Sequence, residues 1–379
     1  MSERSVLLVY ADLRSGGLAV DIRNTANGLV ERGWRVGVAT ARSGDVSGKA
    51  LGLGGDVGLH ELSVPLGPVG RTIGAASGIR RLIRRGAWDV VHVSSLLPLQ
   101  MHAAAMRAAR DSLRTLVWTP MTHPMRERYW TTRARTRPLR RFDRYAAPHA
   151  ARLTDAIAAA TEEEAEWFSR LGARLVRVIP PGVESAGNVL PGDVGAFRRR
   201  HGLGAHPVVL TVAARNERRK GMDFALAAFG RLRSLILSVR LVAVGTSFDG
   251  EPPEGVVATG RLSEDELATA YAAADVAFVP SRYEAFSRVV IEAWQQETPV
   301  VVSDGVGLRR VVESLDNVVV SFGDAEGAAD RIASLLEDPA LAVKLGRRGS
   351  EEVARHYLLP EILDETARMY EDAERARTA

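Results

Sequence analysis

An α/β protein of two domains, each built on a parallel sheet, is what this sequence predicts, and three observations predict it. A chain of 379 residues is too long for a single ordinary core and divides naturally into two. Short apolar runs bounded by proline, glycine or polar residues alternate with helix-length segments throughout, the signature of parallel strands joined by crossover helices. The alternation also starts twice. It runs once as far as Pro180-Pro181-Gly182-Val183-Glu184, whose rigid and then flexible residues suit a hinge, and resumes at Val208.

Residues 5–10 open the first alternation as a strand. A polar loop carrying Gly16-Gly17 follows, then a helical pattern over 18–32 that Gly33 closes. Further strands are expected at 36–40, 88–93, 115–119, 156–160 and 176–180. The second alternation places strands at 208–212, 239–244, 255–258, 276–279, 299–302 and 318–320. An amphipathic helix over 360–375 ends the chain with no strand after it. The expected domains are therefore 1–184 and 185–358, with 359–379 as a C-terminal helix.

Composition narrows the function classes. Hydrophobic residues make up 46% of the chain, as in a globular protein, and the absence of cysteine excludes disulfides, thiolate metal sites and cysteine nucleophiles. No apolar run approaches the roughly 18–20 residues that span a bilayer. Met1-Ser2-Glu3-Arg4 leads directly into a strand pattern, so no secretory leader is expected, and the expected compartment is the cytoplasm. A net charge of +4 is a modest excess that could serve anionic ligands or a membrane surface.

The chemistry concentrates at strand-to-helix junctions of the second half. One is Pro280-Ser281-Arg282-Tyr283-Glu284-Ala285-Phe286-Ser287-Arg288-Val289-Val290-Ile291-Glu292-Ala293-Trp294. Glu284 falls in a tight polar turn, and Glu292 about two turns into the helix that follows, where a carboxylate can accept hydrogen bonds from sugar hydroxyls. Unpaired N–H groups and the helix dipole face an anion there. Taken alone, the spacing also fits a surface glutamate and a glutamate of the capping region. The other junction is Ala214-Arg215-Asn216-Glu217-Arg218-Arg219-Lys220-Gly221. Arg215 and Lys220 offer two fixed cations to a leaving diphosphate; a solvated basic loop is the alternative. Arg218 and Arg219 read as solvent-facing.

In this order along the chain, the segments resemble the retaining, nucleotide-sugar-dependent glycosyltransferases of family 4 (the group 1 type), with their paired glutamates. These have the GT-B fold, two Rossmann-like domains facing across a cleft. The resemblance is strongest from Arg215 to Asp304 and loosest from Ala41 to Gly86. It implies that 1–184 is the acceptor side, that 185–358 binds the nucleotide sugar, and that the C-terminal helix packs back on the first domain. It also implies that Arg215 and Lys220 hold the diphosphate, that Glu284 orients the donor sugar and that Glu292 takes the ribose hydroxyls. Groups at Phe286, Ser287 and Arg288 would assist at the phosphates. Gly16 and Gly17 would let the backbone pass close to the donor, where a Cβ would hold it away. His123, in Thr119-Pro120-Met121-Thr122-His123-Pro124, resembles the histidine that contacts the donor sugar, and stands with Glu284, Arg215 and Lys220 as catalytic. Gly245 and Thr259-Gly260-Arg261-Leu262 fall where the base-binding loops lie, which puts Arg261 and Leu262 among the donor contacts. His92 matches a family histidine at a strand end, with structural and catalytic roles both open. Thr161-Glu162-Glu163-Glu164 reads as a helix cap.

The function so implied is transfer of a sugar from a nucleoside-diphosphate sugar to a hydroxyl of a small molecule, glycan or glycolipid, with retention of configuration. A front-face route needs no protein nucleophile. No metal and no other cofactor is expected, because the two cations do what magnesium would. Ser287 stands where the family commonly has glycine, Arg288 where it has a small residue and Trp294 where it has methionine, and these departures leave the donor sugar and base open. They also leave three competitors: a sugar-nucleotide epimerase of the same fold, a pseudo-glycosyltransferase, and a catalytically silent nucleotide-sugar-binding subunit. The segment from Arg126 to Tyr145 is densely basic with interleaved aromatics, and peripheral contact with an anionic inner membrane face would occur there. Nucleic acid is not an expected partner. Richness in alanine and arginine points to a GC-rich bacterial genome.

Overall fold

Strands buried on every position need helices on both faces, and this chain supplies them. The computed structural model describes residues 4–10, 13, 16–41, 52–62, 67–95, 99–122, 141–185, 187, 189–213 and 218–378. The first part runs β1 (Ser5–Val9), α1 (Gly17–Glu31), β2 (Arg35–Ala41), β3 (Gly58–Leu62), α2 (Gly67–Arg85), β4 (Val90–Ser94) and α3 (Leu99–Asp111). It continues through β5 (Thr115–Thr119), α4 (Ala147–Leu153), β6 (Ala156–Ala159), α5 (Glu162–Arg170) and β7 (Val176–Val178). Next come α6 (Pro191–Arg200), β8 (Val208–Val212), α7 (Met222–Leu235), β9 (Arg240–Val244), β10 (Val256–Gly260), α8 (Glu264–Ala272) and β11 (Val276–Val279). The chain ends with α9 (Arg288–Gln295), β12 (Val300–Ser303), α10 (Arg309–Ser314), β13 (Val318–Val320), α11 (Ala325–Glu337), α12 (Pro339–His356) and α13 (Leu359–Thr378).

Two sheets result, in the orders β3-β2-β1-β4-β5-β6-β7 and β10-β9-β8-β11-β12-β13, with every described pairing parallel. This is the α/β architecture of two Rossmann-like sheets that the alternation predicts. Side chains alternate through the first sheet: Leu7 and Val9 enter one core cluster with Ile79, Ile83 and Met101, while Val6 and Leu8 enter another with Ile22, Leu29 and Tyr370. The second sheet packs Val209, Leu241 and Phe278 against Phe224, Phe229 and Ile332. The sequence reading does not anticipate β3. Its Gly58-Leu59-His60-Glu61-Leu62 is an edge strand with polar positions, so no continuous apolar run marks it.

Met1–Gly182 together with Leu359–Ala379 form one unit, and Val183–Leu358 the other. The division falls two residues before the expected one, because the Val183 N–H donates to the Tyr357 carbonyl at 2.8 Å and ties that residue into the second unit. Helix α13 belongs to the first unit. Its Leu363, Met369, Tyr370 and Ala373 join the cluster of Val6 and Leu8, and Tyr370 meets the Trp34 ring edge-on at 5.4 Å. Arg177 on β7 binds Glu365 at 2.8 Å and also Asp372, fixing the helix along its length.

Each sheet reverses its strand order once, beside β1 and β4 in the first unit and beside β8 and β11 in the second. Loops leaving the carboxyl ends of such neighbouring strands run in opposite directions and open a crevice, the common ligand position in sheets of this kind.

Candidate active site

The two junctions singled out in the second half follow β8 and β11, so the sheet topology itself brings them together. After β8, residues Arg218–Lys220 form a single 3₁₀ turn that Gly221 ends at φ +71°. That glycine is required twice over. The left-handed backbone favours it, and a Cβ there would lie 1.9 Å from the Pro280 carbonyl oxygen. The close approach lets the loops join: the Arg282 N–H donates to the Arg219 carbonyl at 2.8 Å, and the Arg282 guanidinium donates to the Arg218 carbonyl at 3.1 Å and to Asp223 at 2.5 Å. A third loop, after β12, completes the frame. The Glu284 N–H donates to the Gly305 carbonyl and the Gly307 N–H to the Glu284 carbonyl, both at 2.9 Å.

At the centre, the Lys220 ammonium donates to Glu284 Oε1 at 2.5 Å, and the Ser281 hydroxyl donates to the same oxygen at 2.7 Å. Glu284 is only 5% exposed. Burial by itself would raise its pKa, but the charges of Lys220 and Arg219 and the bonds from Lys220 and Ser281 outweigh that and hold it at about 2. It is therefore a carboxylate at neutral pH, unable to serve as a proton donor. Among the described residues its Oε2 has no partner and can accept from a ligand hydroxyl.

The first turn of α9 stands beside this pair. Ser287 precedes the helix at φ +121°, a conformation that normally demands glycine, and its hydroxyl makes no capping bond to the helix. That hydroxyl is buried with no partner among the described residues, in a residue only 4% exposed. Arg288 turns along the helix to Glu292 Oε1 at 3.3 Å, and the Tyr271 hydroxyl donates to Glu292 Oε2 at 3.0 Å. Burial, reinforced by the Glu292 charge, pushes the Tyr271 phenol up, so it remains a donor. The Phe286 ring packs against Tyr357 at 5.9 Å, which leaves its backbone as the part able to face a ligand. Trp294 is fully buried, and a Cβ on Gly349 would meet its ring at 2.1 Å, so it is core.

The two loops expected to read the base follow β9 and β10 of the same sheet. The Gly245 N–H after β9 donates to the Gly260 carbonyl at 2.7 Å, and Arg261 and Leu262 follow at the end of β10, with Arg261 exposed. In the first unit, Gly16 precedes α1 at φ +100° and Gly17 begins the helix, both exposed. His92 is enclosed on β4: Nδ1 lies 2.7 Å from the Tyr370 hydroxyl and Nε2 2.7 Å from Thr119 Oγ1. Burial lowers its pKa to about 4. It lines a hollow with Asp21, Asn24, Thr25, Ser94 and Thr119. Thr161 caps α5, accepting from the Glu164 N–H at 3.2 Å. The buried Glu164 carboxylate accepts from the Ala160 and Thr122 N–H groups at 2.7 and 2.6 Å. His123, Ala214, Arg215 and the stretch 123–140 that includes Arg126 lie outside the described residues.

Four residues here escape the sequence reading. Ser281, Tyr271 and Thr246 are ordinary polar residues with no motif to mark them: Ser281 bonds Glu284 only three residues on, Tyr271 reaches Glu292 from another helix, and the Thr246 hydroxyl is buried with no partner among the described residues. Arg219 is exposed as expected of a solvent-facing residue, yet its guanidinium donates to the Tyr283 carbonyl at 3.2 Å and its charge reaches Glu284. Among the described residues, no group of three or more His, Asp or Glu side chains could hold a metal ion.

Comparison with known proteins agrees with this frame. Residues 193–352 match the family model described as glycosyl transferases group 1, and residues 15–186 the one described as glycosyltransferase family 4. The D-inositol 3-phosphate glycosyltransferase of Xylanimonas cellulosilytica is 28% identical over 96% of this chain and 94% of its own. That of Segniliparus rotundus is 34% identical over 53% of this chain, a match spanning about half (49%) of that relative's length. Among solved structures, sucrose-phosphate synthase from Thermosynechococcus elongatus superposes with a TM-score of 0.81 at 20% identity, covering 98% of this chain and 99% of that one. HepE of Anabaena, solved with UDP-glucose, gives 0.77 at 17% identity over 97% and 99%. Identities this low speak for the fold alone.

Proposed function

Because this chain belongs to the group 1, family 4 glycosyltransferases of GT-B fold, we propose that it passes a sugar from a nucleoside-diphosphate donor to an acceptor hydroxyl with retention of configuration. The observation that carries this reading is the Lys220–Glu284 pair, set where two parallel strands part and beside the first turn of α9.

In this account Lys220, with Arg215 from the same loop, offsets the negative charge that collects on the leaving phosphate as the bond to the sugar breaks. Glu284, ionised at neutral pH, accepts from donor-sugar hydroxyls and holds the Lys220 ammonium in place. The leaving phosphate takes the acceptor proton on the same face, so no protein nucleophile acts. Glu292, steadied by Tyr271 and Arg288, takes the ribose. Ser287, the backbone at Phe286 and the start of α9 contact the phosphates; Gly16, Gly17 and His123 are the further donor contacts that the family resemblance implies. The loop cations make a divalent metal unnecessary.

For the acceptor, an inositol phosphate is the class to try first, as named in the relatives that align over most of this chain.

The test is to supply UDP-, GDP- and ADP-sugars with inositol phosphates and a wider acceptor panel, and to follow nucleoside diphosphate release and product configuration by NMR. Acceptor-dependent release, a product with the donor's anomeric configuration, and a rate unchanged by EDTA are expected. Turnover of the donor without acceptor would favour an epimerase. Full activity in Glu284→Gln would overturn the assigned roles.

A further inference from the structure

Helix α2 spans residues 67–85 with five arginines and no acidic residue. Its inner face, Ala75, Ile79 and Ile83, is buried in the core of the first unit. Its outer face carries Ser77, Arg80, Arg81, Arg84 and Arg85, all exposed, lining one shallow surface hollow. These positions follow i, i+3, i+4, i+7 and i+8, so the four guanidinium groups share one stripe. Folding gains little from that arrangement. Arg80 with Arg84, and Arg81 with Arg85, are like charges one turn apart, each costing a few tenths of a kcal/mol. Among the described residues only Arg84 of the four has an acidic partner, Asp111 at 3.4 Å, and both side chains are about 60% exposed. The helix dipole favours cations in the last turn, which accounts for Arg84 and Arg85 but not for Arg80 and Arg81.

A second observation lies at the end of the stripe. Leu113, in the turn between α3 and β5, is 75% exposed and sits at φ +53°, where glycine or asparagine would fold at lower cost. The Arg84–Asp111 pair on one side and the Arg114 guanidinium on the Gly86 carbonyl at 3.3 Å on the other place it beside the arginines. We propose that this face of α2, with Leu113, docks on an anionic lipid bilayer. The guanidinium groups match headgroup phosphates in charge, and the leucine enters the boundary with the acyl chains. A soluble polyanion would satisfy the arginines but leave the leucine in water, which is why lipid is the better fit. Docking stands on this surface alone and does not require the proposed reaction.

The test is sedimentation of the full chain with phosphatidylcholine vesicles, with and without phosphatidylglycerol, at low and high salt. The wild type binds only the anionic vesicles, and more weakly at high salt. Removing each arginine costs about fivefold in vesicle affinity, so Arg80→Gln/Arg81→Gln/Arg85→Gln together costs roughly a hundredfold. Leu113→Asn, which suits the left-handed backbone and cannot fail by misfolding there, reduces the binding left at high salt. No binding to anionic vesicles, or undiminished binding by the triple variant, would overturn the proposal. So would equal binding to an RNA oligonucleotide with Leu113→Asn indistinguishable from wild type on vesicles.

Discussion

Replacing Glu284 by glutamine removes one charge and almost nothing else, and the structure sets the size of the effect. A carboxyl held at about 2 instead of 4.5 stabilises the folded state by about 3 kcal/mol at pH 7. The folded value is the lower one, so the stabilisation is complete above 4.5 and lost as pH falls towards 2. At pH 3 only about 1 kcal/mol remains by the same relation. The wild type should therefore lose about 2 kcal/mol between pH 7 and pH 3 that Glu284→Gln does not lose. Urea unfolding of both proteins at several pH values measures the difference. A gap that narrows on acidification is expected. A gap of constant size, or one that widens at low pH, would refute the pairing of Glu284 with Lys220 as the source of the effect.

Gly221→Ala places a methyl group against the Pro280 carbonyl at a left-handed position, and should cost about 3 kcal/mol; a neutral result in urea unfolding would contradict the close loop contact. Ser287→Gly relieves the φ of +121° and should stabilise the free protein by about 1 kcal/mol, seen as a raised thermal midpoint. An unchanged or lowered midpoint would remove the case for strain at that position. Burial holds His92 and His102 neutral, with pKa values down to about 4 against 6.5 when exposed. The unfolded chain then binds more protons between those values, so stability rises with pH across that window and falls on acidification. His92→Gln should flatten that slope in a pH series of melts, and an unaltered slope would contradict the burial of a neutral imidazole.

Most of the fold is legible in the sequence because buried parallel strands leave continuous apolar runs, and Val276–Val279 or Val300–Ser303 carry little else. Strand β3 is not, since an edge strand with His60 and Glu61 breaks that pattern. The site divides in the same way. Glu284, Lys220 and Glu292 stand at strand-to-helix junctions, where chain order and residue type together suggest their chemistry. Ser281 and Tyr271 carry no such mark: each matters only because folding sets a hydroxyl against a carboxylate, and Tyr271 reaches Glu292 from a different helix. The arginine stripe of α2 is plain in the sequence as a charge run, but its meeting with Leu113 needs the tertiary structure.

Calorimetric titration of the wild type and Lys220→Met with UDP, GDP and ADP, without added metal, tests the central claim most directly. One of these nucleotides should bind the wild type selectively, and loss of a charge-assisted phosphate contact worth about 2 kcal/mol should weaken it about thirtyfold in the variant. Equal affinity in the two proteins, or no binding of any diphosphate to the wild type, would contradict the assignment of this site to a nucleotide-sugar donor.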